Sequence, residues 1–108
     1  MSATDAEAWL EQESKDLLEQ GPFGLYELVW GLRGAAFGLT DDEARAIAAR
    51  IVRRLVADGV ARICTAAWPT LEVVQGPLPV AVLDDPATWS EGDSGPLFAL
   101  VPADPGAG

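Results

Sequence analysis

Carboxylates are the most abundant side chains in this sequence that could take part in chemistry. Four of them lie close together along the chain, at Asp84, Asp85, Glu91 and Asp93. Carboxylate oxygens are the ligands that Ca²⁺ and Mg²⁺ prefer, but this spacing does not match the EF-hand loop, and we predict no metal site. The adjacent acids Asp41 and Asp42 fall at a predicted helix start, where helix capping accounts for them without catalysis.

The sequence lacks the side chains that most catalytic and metal sites need. It has no histidine and a single cysteine, Cys64. A His-based catalytic triad, a His/Cys zinc site and an internal disulfide are therefore excluded. Cys64 falls in a predicted strand, and we interpret it as a small buried apolar side chain and not as a reactive thiol. The sequence also contains no glycine-rich phosphate loop of the Walker or dinucleotide type.

One short segment resembles an enzyme motif. Residues 92–96, Gly-Asp-Ser-Gly-Pro, are similar to the sequence around the nucleophile of trypsin-like serine proteases. That resemblance implies a histidine base and a two-barrel fold, which a chain of 108 residues without histidine cannot supply. We interpret the segment as a polar turn before a strand that begins at Leu97. The sequence therefore predicts no catalytic residue and no cofactor.

Arginine is concentrated in one segment of an otherwise acidic chain. The formal net charge is −10, from 17 acids and 7 bases, and residues 63–108 contain no base. Residues 44–62 contain five arginines, at Arg45, Arg50, Arg53, Arg54 and Arg62. Two interpretations remain open. The arginines either pair with acids of neighbouring elements or form a surface patch for an anionic partner.

The elements that must position these charges are helical in the first half of the chain. A capping box predicts a first helix over residues 4–20, which Gly21-Pro22 ends. Apolar residues at helical spacing predict a second helix over residues 22–33. Tyr26 and Trp30 form an aromatic row on that helix, which is either additional core or an exposed anchor for a partner.

The strongest helical pattern covers residues 40–58. Thr40 and Glu43 make a second capping box, and the apolar positions that follow keep helical spacing up to Gly59. Residues 35–39 are predicted to be a connection that can hold a brief strand.

A β-hairpin is predicted after this helix. Its strands cover residues 60–64 and 71–75, joined by a loop over residues 65–70. Trp68 in this loop either folds back onto the core or is exposed at the tip.

The remaining residues, 76–108, are predicted to be an irregular proline-rich segment with short strands. We expect strands over residues 80–83 and 97–101, and one helical turn from Asp85-Pro86 through Trp89. The whole is predicted to be one α+β domain over residues 1–101, followed by a flexible tail over residues 102–108.

The junction between the third helix and the hairpin resembles that of a winged helix-turn-helix domain. It runs through Leu55, Gly59 and Val60, and the resemblance covers about residues 22–75. It implies a winged-helix-like fold of about three helices followed by a β-hairpin. The family has two shorter helices with a turn before the wing. Residues 40–58 contain no Gly, Pro or Asn for that turn, so either one long helix replaces the pair or a break lies near residues 48–50.

The charge distribution indicates the function that we expect. A body of net charge −10 repels DNA over about a Debye length, roughly 8–10 Å. We therefore predict a small acidic protein-interaction module, without enzymatic activity, that acts as a regulator, an adaptor or an inhibitor of the immunity type. Its partner is predicted to be a basic protein or a second copy of the chain. The residues predicted to contact the partner are Glu11, Asp16, Glu19, Tyr26, Trp30 and Trp68.

The alternative function is a sequence-specific DNA-binding transcriptional regulator. The winged-helix resemblance implies that Arg50, Arg53 and Arg54 lie on the helix that enters the major groove, with Arg62 near the wing. This alternative requires their side chains to be exposed and free of acidic partners.

No contact with a membrane is expected. The sequence contains no apolar run of about 18 residues that could span a bilayer. Asp5 and Glu7 stand where a signal peptide would carry positive charge, so we predict a cytoplasmic protein.

Overall fold

A computed structural model of the chain describes residues 3–34, 37–67, 70–89 and 96–103 and has an α+β fold. Its three helices are α1 (Ala3–Gln20), α2 (Tyr26–Gly34) and α3 (Asp41–Ala57). Its four strands are β1 (Phe23–Gly24), β2 (Ala61–Ala67), β3 (Glu72–Leu78) and β4 (Leu97–Pro102). Two short 3₁₀ helices, Val80–Asp84 and Pro86–Trp89, lie between β3 and β4.

The long helix α3 forms as its sequence predicts. The backbone N–H of Glu43 donates to the Thr40 hydroxyl at 3.1 Å, and the Thr40 N–H donates to the Glu43 carboxylate at 2.9 Å. This capping box satisfies two backbone donors that would otherwise lack partners. Gly59 ends the helix with a positive φ of 75°. The helix is continuous, so of the two expected forms the single long helix is correct and the break near residues 48–50 is wrong.

The second helix begins later than predicted. Residues 22–33 were expected to be helical, but Phe23 and Gly24 form β1 and the helix starts at Tyr26. A Cβ on residue 24 would lie 2.5 Å from the Tyr26 ring, so the strand passes the aromatic side chain only because residue 24 is glycine. The N–H of Gly24 donates to the Glu27 carboxylate at 2.8 Å, which holds the turn into α2.

The brief strand in the first half of the chain therefore lies before α2 and not after it. It was predicted within residues 35–39. Residues 37–39 contain no strand, and residues 35–36 lie outside the described residues.

The four strands form one antiparallel sheet in the order β1-β4-β2-β3. The predicted hairpin is confirmed as β2 and β3, which are both longer than expected, so residues 65–67 belong to a strand and not to the connection. The predicted last strand is confirmed as β4, which lies between β1 and β2. The strand with the latest position in the sequence is thus one of the two central strands.

The two faces of the sheet pack against different apolar clusters. Ile63 of β2 lies opposite Leu100 of β4, and both are buried in the main core with the three helices. Ala66 and Leu97, which also face each other, belong to a second apolar cluster against which Tyr26 packs. Because side chains alternate along a strand, the helices cover one face and Tyr26 lies against the other.

The segment after β3 folds differently from the prediction. Residues 80–83 were predicted to be a strand, but they lie in a 3₁₀ helix. The Thr88 hydroxyl donates to the carbonyl of Val82, and the Trp89 indole N–H donates to the carbonyl of Leu83 at 3.1 Å. These bonds use carbonyl groups that a strand would offer to a neighbouring strand, which explains the difference. The predicted helical turn that ends at Trp89 is confirmed, in 3₁₀ form.

The chain end is described only as far as residue 103. Pro102, the first residue of the predicted tail, is the last residue of β4, and the N–H of Ala103 donates to the Val60 carbonyl at 2.9 Å. Residues 104–108 lie outside the described residues. Within the described ranges, no helix has both the length and the apolar character that crossing a bilayer would require.

We predict that Ser14→Ala stabilises the protein. The Ser14 side chain is fully buried in α1, and its hydroxyl has no hydrogen-bond partner among the described residues. Removing a buried hydroxyl that lacks a partner should raise the free energy of unfolding by about 1 kcal/mol. Denaturant unfolding measures the change. Thr88→Ala is the matched control, because the Thr88 hydroxyl is buried but bonded and its removal should lower stability. A loss of stability in Ser14→Ala would contradict the prediction.

Candidate interaction surface

The polar side of α3 is held to α1 by two parallel ion pairs. Arg50 Nη1 lies 2.7 Å from Glu7 Oε1, and Arg54 Nη1 lies 2.7 Å from Glu11 Oε1. In each helix the two residues are four positions apart, which places them one turn apart on the same face. Two turns of α1 therefore meet two turns of α3, and we call this arrangement the ion-pair ladder.

The other arginines of α3 also have acidic partners. Arg53 Nη2 lies 2.8 Å from Asp84 Oδ1 in the first 3₁₀ helix. Arg45 pairs with Asp42 one turn earlier in its own helix. The interpretation that the arginines pair with acids of neighbouring elements is therefore correct for Arg50, Arg53 and Arg54, whereas Arg45 pairs within its own helix.

Arg62 is the exception. In the part of the chain that the structure describes, it is the one basic side chain without a carboxylate within 4.0 Å. The paired side chains are Lys15, Arg33, Arg45, Arg50, Arg53 and Arg54. Arg62 is exposed in β2. The positive charge that a polyanion could use without breaking an ion pair is thus reduced to one side chain.

The ion pair between Glu11 and Arg54 also shifts the pKa of both groups. The hydrogen bond from Arg54 lowers the pKa of Glu11 below its ordinary value. The same bond raises the pKa of Arg54. The Arg54 side chain is 47% exposed, and pairs this accessible contribute little to stability. Their main effect is on the surface charge.

An open cleft of about 440 Å³ lies between α3 and the two 3₁₀ helices. Its residues are Asp42, Arg45, Ala46, Ala49, Arg50, Arg53, Leu83, Asp84 and Trp89. Each of its three arginines donates one hydrogen bond to a carboxylate. The cleft is therefore lined by balanced charges and not by a basic patch.

The predicted acidic contact residues of α1 differ in availability. Glu11 is engaged in the ion-pair ladder. Asp16 and Glu19 are exposed. Asp16 accepts a hydrogen bond from Gln12 at 3.0 Å, which leaves its charge uncompensated. Of the three acids, Asp16 and Glu19 are the ones that are exposed and outside the ion-pair ladder.

The predicted aromatic contact residues form a fixed pair on α2. Trp30 is 52% exposed, and its ring lies 5.1 Å from that of Tyr26 in an edge-to-face arrangement. Tyr26 packs against the second apolar cluster, which contains Ala66 and Leu97, so it fixes one side of Trp30. Trp68 lies outside the described residues.

Sequence reasoning missed the exposed valines of β3. Val73 is 51% and Val74 is 57% exposed. Val73 lies opposite Ala66 and Gln75 lies opposite Thr65, so Val74 is an extra residue that forms a bulge. Successive side chains of a strand point to opposite faces, so two adjacent valines cannot both point into the core. This adjacency was the only signal in the sequence.

Among the described residues, no group of three or more His, Cys, Asp or Glu side chains is arranged to hold a metal ion. Glu91, Asp93 and Ser94 lie outside the described residues. Cys64 is buried, as predicted, and its burial raises the pKa of the thiol.

We predict that Glu11→Gln reduces stability at neutral pH and not in acid. Folding lowers the pKa of Glu11, so its charge stabilises the fold above its unfolded pKa, and this contribution disappears as pH falls through the folded pKa. Urea unfolding of both proteins at about pH 7 and about pH 3 measures the difference. Glu19→Gln, which removes an exposed charge of the same helix, is the matched control. A Glu11→Gln deficit of equal size at both pH values would contradict the explanation.

No protein family, curated protein or solved structure matches this chain. The function must therefore be argued from the charges, the exposed side chains and the cleft described above.

Proposed function

We propose that this protein is a small, acidic, non-catalytic interaction module that binds a basic protein partner, as a regulator, an adaptor or an inhibitor of the immunity type. The observation that carries this proposal is the disposition of charge. Six of the seven basic side chains lie within 4.0 Å of a carboxylate, while the chain as a whole carries a net charge of −10.

The long-range field supports a cationic partner. Paired charges largely cancel each other at a distance, so the exposed acids determine the sign of the field. Asp16 and Glu19 on α1 are acids of this kind. Complementary charge accelerates association and discriminates against wrong partners. Both effects favour a basic surface over nucleic acid.

Trp30 is the anchor that we assign to this interface. Tryptophan is enriched among the residues that contribute most to binding, especially where neighbouring side chains hold it in place. The Trp30 ring is half exposed and fixed by Tyr26, so burying it costs little side-chain entropy. A partner that covers it would remove a large apolar surface from water.

We also propose that the scaffold is winged-helix-like. The order of elements supports this assignment, since α2 and α3 are separated by residues 35–40 and are followed directly by the β2–β3 hairpin. The helix pair that precedes a wing would then be α2 and α3. In this arrangement α3 needs no internal turn.

The DNA-binding alternative is disfavoured by the ion pairs. Arg50, Arg53 and Arg54 each donate to a carboxylate, and a phosphate would have to displace that carboxylate. Among the described residues, Arg62 is the one arginine that a phosphate could contact without displacing a carboxylate. Phosphate contacts supply most of the non-specific affinity for DNA, and one free arginine supplies little.

We predict that the wild-type protein at micromolar concentration does not retard DNA in a gel-shift assay at low salt. A double variant, Glu7→Gln with Glu11→Gln, releases Arg50 and Arg54 from charged partners. This variant should bind DNA measurably better than the wild type does. Glu13→Gln with Glu19→Gln removes two charges from the same helix outside the ladder and is the matched control. Retardation by the wild type would instead support the DNA-binding alternative.

We predict that Trp30→Ala strongly weakens partner binding, because it removes the apolar side chain that we assign as the anchor. The protein serves as bait in lysate from its source cells, and mass spectrometry identifies proteins recovered in stoichiometric amounts. The expected companion has a basic isoelectric point, and Trp30→Ala should reduce its recovery about tenfold or more. A homodimer that Trp30→Ala dissociates, measured by analytical ultracentrifugation, would identify a second copy as the partner.

Val60→Ala is the control for this experiment, because it also truncates an exposed apolar side chain, which is 38% accessible in the wild type. Recovery of a free monomer without a companion would contradict the proposed function. The proposed function would also be contradicted by a companion whose recovery falls equally with Trp30→Ala and with Val60→Ala.

A further inference from the structure

The cleft beside α3 combines features that the proposed interface does not use. It has about 440 Å³ of space, within the range typical of small-molecule sites. Ala46 and Ala49 provide the space along α3, because their side chains are short. Leu83 and Trp89 form the wall contributed by the 3₁₀ helices, and both are buried.

The wall of the cleft contributed by Trp89 is held in place. The Trp89 indole N–H donates to the carbonyl of Leu83 at 3.1 Å, and the neighbouring Thr88 hydroxyl donates to the carbonyl of Val82. These bonds tie the second 3₁₀ helix to the first. A ligand would therefore meet a preformed wall and would not have to order it.

Charges of both signs stand at each end of the cleft. At one end Arg45 pairs with Asp42, and at the other Arg53 pairs with Asp84. Arg45 and Arg53 are eight positions apart in α3, which corresponds to about 12 Å along the helix axis. Each end can thus contact an anionic or a cationic group.

The ion pairs at the two ends leave hydrogen-bonding capacity unused. Arg53 donates one hydrogen bond, to one oxygen of Asp84, and has no other partner among the described residues. A guanidinium has five N–H donors and a carboxylate has two oxygens, so both groups can bind a further charged group without separating. The side chains of Arg53 and Asp84 are 44% and 71% exposed, so such a group can reach them.

We propose that this cleft binds a short peptide with both termini free, its carboxylate on a guanidinium of one end and its ammonium group on a carboxylate of the other. The inference goes beyond the proposed protein interface and does not depend on it. Three extended residues span about 10 Å, which matches the distance between the ends. A small apolar side chain of the peptide would lie against Ala46 and Ala49.

The net charge of the protein favours a zwitterion over a simple anion. A body of charge −10 repels a free anion before any contact forms. A zwitterion has no net charge and meets no such repulsion. Its two ends can still form charge-assisted hydrogen bonds at close range, which are the stronger kind.

Three matched probes test the proposal. Trialanine carries both charges, N-acetyl-trialanine keeps only the carboxylate, and trialanine amide keeps only the ammonium group. We expect trialanine to bind the full chain in NMR titrations and to shift the indole N–H signal of Trp89. Each blocked probe should bind about tenfold more weakly or worse, since each lacks one charged hydrogen bond. Equal binding of either blocked probe, or no binding of trialanine up to about 10 mM, would overturn the proposal.

Variants of the cleft complete the test. The double variant Arg53→Ala with Asp84→Asn removes both charged groups of one end and should weaken trialanine binding about tenfold, and Ala46→Leu should block it by filling the space. Arg62→Ala removes an exposed arginine outside the cleft and should bind trialanine like the wild type. A loss in Arg62→Ala as large as that in the double variant Arg53→Ala with Asp84→Asn would overturn the proposal, and so would unchanged binding in the double variant. Retained binding in Ala46→Leu would do the same, because Ala46 is exposed and its replacement leaves the core intact.

Discussion

The packing of α3 against α1 and the sheet is the constraint on which both the core and the surface charge depend. Ile47, Ile51 and Leu55 face inward and are almost completely buried, which fixes the rotation of the helix. With that rotation fixed, Arg50 and Arg54 must lie toward α1. The apolar stripe of α3 therefore determines which acids its arginines meet.

This arrangement explains how a chain with a concentrated basic segment presents an acidic surface. Glu7 and Glu11 are spaced one turn apart, as Arg50 and Arg54 are, so the two helices neutralise each other in register. The exposed pairs add little to stability. Their effect is on the surface charge, since among the described residues only the basic side chain of Arg62 lies more than 4.0 Å from every carboxylate.

Local signals in the sequence predicted the elements whose stabilising contacts are also local. The capping box of Thr40 and Glu43 and the apolar period that follows predicted α3 within one residue at each end. The strand at residues 23–24 was missed because Phe23 hydrogen bonds with a strand that lies more than 70 positions later. A two-residue strand has no periodicity of its own, so only its distant partner defines it.

The ion pairs show the same limit for the candidate site. Clustering of arginine was visible in the sequence, but Arg50 and Glu7 are 43 positions apart, and composition leaves their pairing open. The exposure of Trp30 was one of two alternatives, since aromatic spacing on a helix is the same for core and surface. The 3₁₀ helix at residues 80–84 depends on hydrogen bonds from the side chains of Thr88 and Trp89. The strand propensity of residues 80–83 gives no information about these bonds.

The position of β4 in the sheet has a consequence for synthesis on the ribosome. β4 lies between β1 and the β2–β3 hairpin, so β1 is joined to the hairpin only when the last strand is inserted between them. Contacts between distant parts of a chain form slowly. The nascent protein can therefore complete its helices early, but it closes its sheet only after residue 102 has left the exit tunnel.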